Sequence, residues 1–271
     1  MDIVNEFEFK RRKYMPVFPK ATGNPTTYIE GYPGEDDEHK GATGFHGEQV
    51  TTFSEQLSRY FSNEYVYVGA DSFIYYREGD IERCVAPDVY VVFGVSRIPQ
   101  RRSFYTWEEG PVPAVVFEFL SDSTANRDRN QKVHQYLIEM EVEEYFIHQP
   151  SSDRPPEFRG WRCRSSGDIV EIAPDAQGGL FSESLNMWLQ WEEELNDVRL
   201  LRPYLPDGTP ITTSMEEHYL RLEAEDMVVE EAERRREAET LARAEAERRR
   251  EAEAELERLR AQLANRQDEG A

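Results

Sequence analysis

Apolar and polar positions alternate with a helical period early in the chain, in the stretch HGEQVTTFSEQLSRYFS. Its apolar residues are Val50, Phe53, Leu57, Tyr60 and Phe61, and each of the last four follows an earlier one by three or four positions. This spacing places them on one face of an α-helix, with the polar residues opposite. The pattern predicts an amphipathic helix at the start of the main domain.

Short runs of aromatic and β-branched residues follow this helix and predict β-strands. These runs are EYVYVGA, SFIYYR, the longer CVAPDVYVVFGV, PAVVFEFLS, EYFIHQP, WRCRS and DIVEIA. A second helical segment, NRDRNQKVHQYLIEME, stands before EYFIHQP, and GLFSESLNMWLQWEEE is interpreted as an edge strand and a loop. The order of elements predicts an α/β domain in which helices flank a mixed sheet.

The same patterns divide the chain into four parts. Residues 1–45 are an N-terminal extension ending in a loop rich in Gly, Pro and acidic residues, and 46–205 are the main domain. Residues 206–214 are a linker, and 215–271 are a charged helix without Gly or Pro until Gly270. Turn-forming residues at such density disfavour regular structure in the first part, whereas Ala, Glu, Arg and Leu favour a helix in the last.

The charged helix contains an internal repeat, because EAERRREAE occurs at 231–239 and again at 245–253. The shift of two heptads is compatible with a coiled coil that makes a homodimer. The candidate seam is apolar only near its ends, and consists of Ala238, Ala242, Glu245, Arg249, Ala252, Leu256, Leu259 and Leu263. Glu and Arg four positions apart would also stabilise a solitary solvated helix. Both alternatives remain open at this point.

Composition narrows the class of protein. The formal net charge of −22 argues against general binding to nucleic acid, and leaves only local basic clusters as contacts. Cys84 and Cys163 lie far apart without a CxxC pair, which indicates free thiols. No apolar run is typical of a secretory signal or long enough for a membrane span. A cytoplasmic protein without a membrane segment is expected.

Several common motifs are absent from the sequence. It contains no GxxxxGK[ST] or GxGxxG loop, no GxSxG turn and no HExxH pair. The first two absences disfavour nucleotide binding through those loops, and the third disfavours a serine hydrolase of the elbow type. The five histidines occur singly, so a structural zinc site is not expected.

Two carboxylates in apolar strands are the candidate catalytic groups. Glu118 interrupts the run VVFEFL at 115–120, and Asp88 follows Pro87 at the start of VYVVF. An unpaired ion in a dry strand costs several kcal/mol or more, so a partner is required. If the two strands are neighbours, the two acids converge and can share a Mg²⁺ ion. In the alternative, Asp88 caps a turn and Glu118 pairs with an arginine such as Arg127.

Lys132 lies in the helix that follows Glu118, four positions before Tyr136 and on the same side of that helix. From there its ammonium can reach back toward the strand ends, where an attacking water or a phosphate oxygen would lie. A solvated lysine on an exposed face is the common alternative.

The stretch AVVFEFLSDSTANRDRNQKVHQYLIEMEVEEYFIHQP, together with Ala86-Pro87-Asp88 and His46-Gly47-Glu48, resembles the Uma2 family of restriction endonuclease-like proteins. The likeness extends over about 46–205, with the pieces in the family's order. That family belongs to the PD-(D/E)xK nuclease superfamily, so the resemblance implies a restriction-endonuclease-like mixed sheet. It also implies phosphodiester hydrolysis in DNA with Mg²⁺ or Mn²⁺, and a homodimer by family habit.

The resemblance assigns roles to individual positions. Asp88 and Glu118 correspond to the two metal-binding acids, and Glu48 on the first helix corresponds to an auxiliary catalytic acid. The lysine expected two residues after the glutamate is missing, since that position is Leu120. The resemblance implies that it has migrated to Lys132. The alternative function is a catalytically inactive module of the same fold that binds nucleic acid or a protein partner through its C-terminal helix.

Overall fold

The computed structural model describes residues 3–24, 26, 29–32, 44–62, 64–121, 125–164, 167–193 and 198–268. The chain divides into two compact units, Met1–Thr213 and Ser214–Ala271. Most of the Gly- and Pro-rich loop predicted at 23–44 lies outside the described residues, as do positions 122–124 of the turn after Glu118.

The first half of the larger unit contains three helices and six strands. They are α1 (Ile3–Tyr14), α2 (Gly44–Tyr60), β1 (Val66–Ala70), β2 (Phe73–Tyr75), β3 (Cys84–Val85), β4 (Val89–Phe93), β5 (Ser103–Tyr105), the short α3 (Thr106–Glu109) and β6 (Val115–Phe119).

The second half begins with α4 (Ala125–His134), which continues as a π-helical turn over Gln135–Glu139. The strands that follow are β7 (Glu144–His148), β8 (Phe158–Cys163), β9 (Ile169–Glu171), β10 (Leu180–Ser182), β11 (Met187–Glu193) and β12 (Arg199–Tyr204). The long helix α5 (Ser214–Asp268) forms the second unit. No helix among the described residues is long and apolar enough to cross a membrane.

The largest sheet has six strands in the order β1-β4-β6-β7-β8-β9. Strands β6 and β7 run parallel, and every other neighbouring pair in this sheet is antiparallel. A parallel pair needs a crossover connection, and the helical segment from Ala125 to Glu139 supplies it. The mixed sheet predicted from the sequence is therefore confirmed.

Side chains of β6 alternate between two hydrophobic cores. Val115, Phe117 and Phe119 face the core that α2 covers, whereas Val116 faces the core that Tyr136 of the π turn covers. All five residues of β6 are buried. A central strand covered on both faces is apolar throughout, which explains why its sequence shows no alternation of apolar and polar residues.

Two predicted strands differ from the structure. CVAPDVYVVFGV forms two strands in different sheets, because the chain leaves β3 at Val85 and enters β4 at Val89. Pro87 between them has no amide hydrogen for a ladder. GLFSESLNMWLQWEEE forms the two strands β10 and β11, which pair with the unpredicted β12 in a small antiparallel sheet. Strand β5, which pairs with β2, was also not predicted from the pattern.

The extension predicted at residues 1–45 contributes to the main core. Phe7 and Tyr14 of α1 pack against the core beneath α2. Arg11, which is almost fully buried, donates from Nη1 to the carbonyl of Tyr60 at 2.5 Å. The N-terminal helix thus packs as part of the same compact unit as the sheet.

Helix α5 begins at Ser214, one residue from the predicted start at 215. Its described side chains are exposed almost throughout, including Val228, Val229 and Leu256. The side chains of Leu259 and Leu263 lie outside the described residues.

Candidate active site

Asp88 and Glu118 lie side by side at the end of adjacent strands. Strands β4 and β6 pair antiparallel with Val89 opposite Phe117 and Tyr90 opposite Val116. Continuing this register by one residue places Asp88 opposite Glu118. Directly opposed residues of an antiparallel pair project from the same face of the sheet, with Cβ atoms about 5 Å apart. The two strands therefore bring the two predicted acids together.

Both oxygens of the Asp88 carboxylate are engaged. The backbone N–H of Phe119 donates to Oδ2 at 2.5 Å, and Nε2 of His46 lies 3.1 Å from Oδ1. The first contact comes from β6 itself and the second from the first turn of α2. These two contacts fix the orientation of the carboxylate at the sheet end.

Glu118 is buried, with 4% of its surface exposed, and two side chains bind the same oxygen. Nζ of Lys132 donates to Oε1 at 2.7 Å, and the hydroxyl of Tyr136 donates to Oε1 at 2.6 Å. The glutamate of VVFEFL is thus tolerated because a buried cation and a buried phenol meet it. Arg127, the partner considered in the sequence alternative, is exposed.

Helix α4 presents its polar groups as one stripe toward Glu118. Asp128, Lys132 and Tyr136 are spaced four residues apart, so they lie on one face of the helix. Nζ of Lys132 lies 2.9 Å from Oδ1 of Asp128, whose side chain is fully buried, and Tyr145 donates to the Asp128 carbonyl at 3.1 Å. The π turn begins one residue before Tyr136. Such turns are frequent at functional sites.

Burial and neighbouring charges shift the pKa values of Glu118 and Lys132. Burial raises the pKa of Glu118 to about 8, against the opposing effect of Lys132, and the carboxylates of Asp88 and Asp128 raise it further. Burial alone would lower the pKa of Lys132, but the attraction of Glu118 and Asp128 outweighs it and the pKa is raised. Lys132 therefore remains charged, and a cation beside Glu118 favours the ionised form of its carboxyl group.

A cavity of about 440 Å³ lies next to Ser121, after β6, and Ala125, at the start of α4. Its wall also contains Arg129, Arg154 and Glu157, and Arg129 makes an ion pair with Glu157 at 2.6 Å. The cavity is therefore bordered by charged groups of both signs.

A comparison with protein families matches residues 20–159 to the model named Uma2, described as a putative restriction endonuclease. The match covers just over half of the chain and includes all four predicted site residues. The chain belongs to the Uma2 family. This membership supports a nuclease function, and it confirms the resemblance found in the sequence.

One solved structure similar to this Uma2 protein is a putative nuclease of the DUF820 group from Anabaena variabilis. The two chains are 16% identical, the alignment covers 55% of this chain and 78% of the other, and the TM-score is 0.37. No curated protein matches this chain.

The donor set of the site suits a hard divalent cation. Mg²⁺ prefers oxygen ligands and is often bound through one or two carboxylates, with waters and substrate phosphate completing the shell. Asp88 and Glu118 offer two carboxylates on one face at the sheet end. Among the described residues, no group of three or more His, Cys, Asp or Glu side chains is arranged to hold a metal. The residues thus fit a cation shared with solvent and substrate, and not a fully enclosed metal site.

Glu48 stands apart from the cluster. It is exposed on α2 and makes no hydrogen bond or ion pair with another described residue. His46, two positions earlier, is the residue of α2 that contacts Asp88. Two positions correspond to about 200° around a helix, so the two side chains face different directions.

The sequence interpretation did not assign a role to three residues of this cluster. His46 is named there only as part of a motif and Tyr136 only as a neighbour of Lys132 on the helix, and Asp128 is not considered. The four-residue spacing of Asp128, Lys132 and Tyr136 was the available signal. It indicates a polar stripe only once the position of Glu118 is known.

Proposed function

We propose that this protein is a Mg²⁺-dependent endonuclease that hydrolyses phosphodiester bonds in DNA. The observation that supports it best is the charge of the buried cluster. Two carboxylates, those of Glu118 and Asp128, contact the ammonium of Lys132, and Asp88 lies opposite Glu118 on the adjacent strand. When the three carboxylates and the ammonium are ionised and His46 is neutral, the cluster has an excess of two negative charges. A buried excess of this size is costly, and a divalent cation offsets it.

Asp88 and Glu118 would hold the cation, which on binding would polarise a phosphodiester oxygen and lower the pKa of a water molecule. The backbone N–H of Phe119 keeps the Asp88 carboxylate oriented toward the site. Lys132, held between Glu118 and Asp128, presents its ammonium beside the carboxylates. There it can orient the attacking water and stabilise negative charge that develops on the phosphoryl group.

DNA is the proposed substrate because the family is described as restriction endonucleases. The net charge of −22 would repel nucleic acid at long range, so binding requires local cations. Arg129, in the wall of the cavity next to Ser121, would have to exchange Glu157 for a phosphate group to supply one. Mn²⁺ has the same preference for oxygen ligands and is the proposed substitute for Mg²⁺.

An inactive module of the same fold is the second candidate function. The observation that favours it is the lack, among the described residues, of a metal-binding group with three or more acidic, His or Cys side chains. The ion pair with Lys132 also compensates Glu118 without any metal. This alternative predicts neither divalent-metal binding nor cleavage.

Calorimetric titration of Mn²⁺ into the wild-type protein, Asp88→Asn and Glu118→Gln separates the two candidates. The nuclease proposal expects binding to the wild type and its loss in both variants. Comparable heats for all three proteins would eliminate the shared metal site.

Cleavage assays on single-stranded, duplex and branched DNA with Mn²⁺ test whether the protein hydrolyses phosphodiester bonds. Lys132→Ala is expected to lose cleavage while retaining metal affinity, because its role concerns the reacting groups. His134→Gln, a change at an exposed position of the same helix, serves as the matched control.

A further inference from the structure

We infer that His46 is a positioning residue that holds the Asp88 carboxylate in the orientation required for metal binding. The inference rests on the proposed function, since it concerns the same site. It places the contribution of the first helix at His46, two positions before Glu48, which the sequence resemblance made an auxiliary catalytic acid.

The geometry at Asp88 supports this assignment. The carboxylate sits between two donors from different elements, Nε2 of His46 at 3.1 Å and the N–H of Phe119 at 2.5 Å. The Phe119 contact holds only one carboxylate oxygen, so by itself it would leave the carboxylate free to pivot about that oxygen. The second contact removes that freedom, so the oxygens project in one direction from the strand end.

His46 is itself held in place. Its imidazole packs edge-on against the ring of Phe119, with the centroids 6.4 Å apart at an interplanar angle of 82°. Its side chain is 18% exposed, and its Nδ1 is buried without a hydrogen-bond partner among the described residues. An imidazole with one nitrogen unsatisfied keeps its place because the other nitrogen binds Asp88.

The packing of α2 fixes the position of His46. The helix starts at Gly44, so His46 lies in its first turn, at the edge of the sheet where β4 begins and β6 ends. Phe53, two turns further along α2, packs on Phe117 and Phe119 of β6. The packing of α2 on β6 therefore sets the distance between His46 and Asp88.

A residue that hydrogen-bonds a metal-binding carboxylate orients that ligand without touching the metal. Removing such a partner typically lowers metal affinity 10- to 100-fold. His46 can have this effect although Asp88 and Glu118 remain intact. We expect metal affinity to fall when the imidazole is removed, and to be restored when another hydrogen-bond donor replaces the imidazole.

The test compares His46→Met with His46→Gln, because the two side chains have similar length and only Gln retains an N–H donor. Mn²⁺ affinity of the full chain is measured by calorimetry and by electron paramagnetic resonance of free Mn²⁺. We expect His46→Met to bind Mn²⁺ about 10-fold or more weakly, and His46→Gln to retain most of the wild-type affinity. His134→Gln is the control for loss of an exposed histidine, and melting curves without metal report the fold.

Each result decides between distinct conclusions. Equal affinities of His46→Met and wild type, with binding lost in Asp88→Asn, would overturn the role of His46 and leave the nuclease proposal standing. Equal losses in His46→Met and His46→Gln would also overturn it, since the donor would not matter. A loss in Glu48→Gln alone would return the role to Glu48. A wild-type chain that binds no Mn²⁺ would instead defeat the proposed function itself.

Discussion

The ammonium of Lys132 lies 2.7 Å from Oε1 of Glu118, although the glutamate is on a strand and the lysine is 14 residues later on a helix. The PD-(D/E)xK pattern expects the lysine on the strand itself, at the position of Leu120. Here Leu120 packs into the core, and helix α4 delivers the cation from outside the strand. In this chain the ammonium beside the glutamate comes from the helix and not from the strand.

Replacement of Lys132 by Met is expected to destabilise the metal-free protein by about 3 kcal/mol, because it leaves buried carboxylates without their cation. Mn²⁺ should restore more stability to this variant than it adds to the wild type, since the metal would compensate the same charges. Urea denaturation with EDTA and with Mn²⁺ measures both effects. Arg127→Met, at an exposed position of α4, is the control. Unchanged stability without metal would show that the ion pair contributes little.

The hydroxyl of Tyr136 is expected to stabilise the fold through its 2.6 Å hydrogen bond to Glu118. Tyr136→Phe removes only this hydroxyl, and a hydrogen bond to a charged group contributes about 1.5–3 kcal/mol. Thermal or urea unfolding measures the loss. Tyr219→Phe, an exposed position of α5, should leave stability unchanged. If both variants unfold like the wild type, the phenol does not bind Glu118 in solution.

His148 is expected to make the protein less stable as the pH falls. Burial lowers the pKa of His148 to about 4, against a small opposing effect of its 2.6 Å hydrogen bond to the Arg199 carbonyl. The folded state therefore favours the neutral ring. The contribution of the neutral ring to the free energy of unfolding is complete above the unfolded pKa of about 6.5. This contribution is lost as the pH falls toward 4, and the total loss is about 3 kcal/mol.

The measurement for His148 is the free energy of unfolding at a series of pH values. His148→Gln keeps an N–H donor for the Arg199 carbonyl but cannot titrate, so its stability should fall less steeply between pH 6.5 and 4 than that of the wild type. His134→Gln should follow the wild-type curve because His134 is exposed. Parallel curves for all three proteins would contradict the neutral buried imidazole.

Dimerisation through α5 remains a prediction from the sequence. Leu256 belongs to the predicted seam, and Val228, outside the predicted seam, lies four heptads earlier in the same heptad position; the two side chains are 48% and 67% exposed. Val228→Glu combined with Leu256→Glu is expected to convert a dimer into a monomer in sedimentation equilibrium. Val229→Glu changes an equally exposed residue beside the seam and should not. A wild-type chain that sediments as a monomer would favour the solitary helix.

Much of the site geometry could be predicted from the strand patterns. Alternation places Asp88 on the same side of its strand as Tyr90, and Glu118 on the same side of its strand as Val116. The observed register then sets the two acids opposite each other. The pairing of β4 with β6 could not be derived from either segment alone, because it depends on contacts distant in sequence.

Other features depended on tertiary structure. The pattern around Glu48 could not show which residue of the first helical turn faces the sheet end, since that depends on where α2 begins and how Phe53 packs. Tyr136 fits an apolar helix face equally well whether or not its hydroxyl has a partner. The hydrogen bond to Glu118 is visible only in three dimensions.

Asp88 occupies the short connection between β3, in one sheet, and β4, in another. Glu118 has no such attachment, since its strand is enclosed by neighbours on both sides. A displacement of the sheet formed by β2, β3 and β5, for instance through the pairing of Val85 with Ile74, would therefore shift Asp88 and leave Glu118 in place. Substitutions in β3 or β4, although distant from the reacting groups, can therefore change the distance between the carboxylates of Asp88 and Glu118.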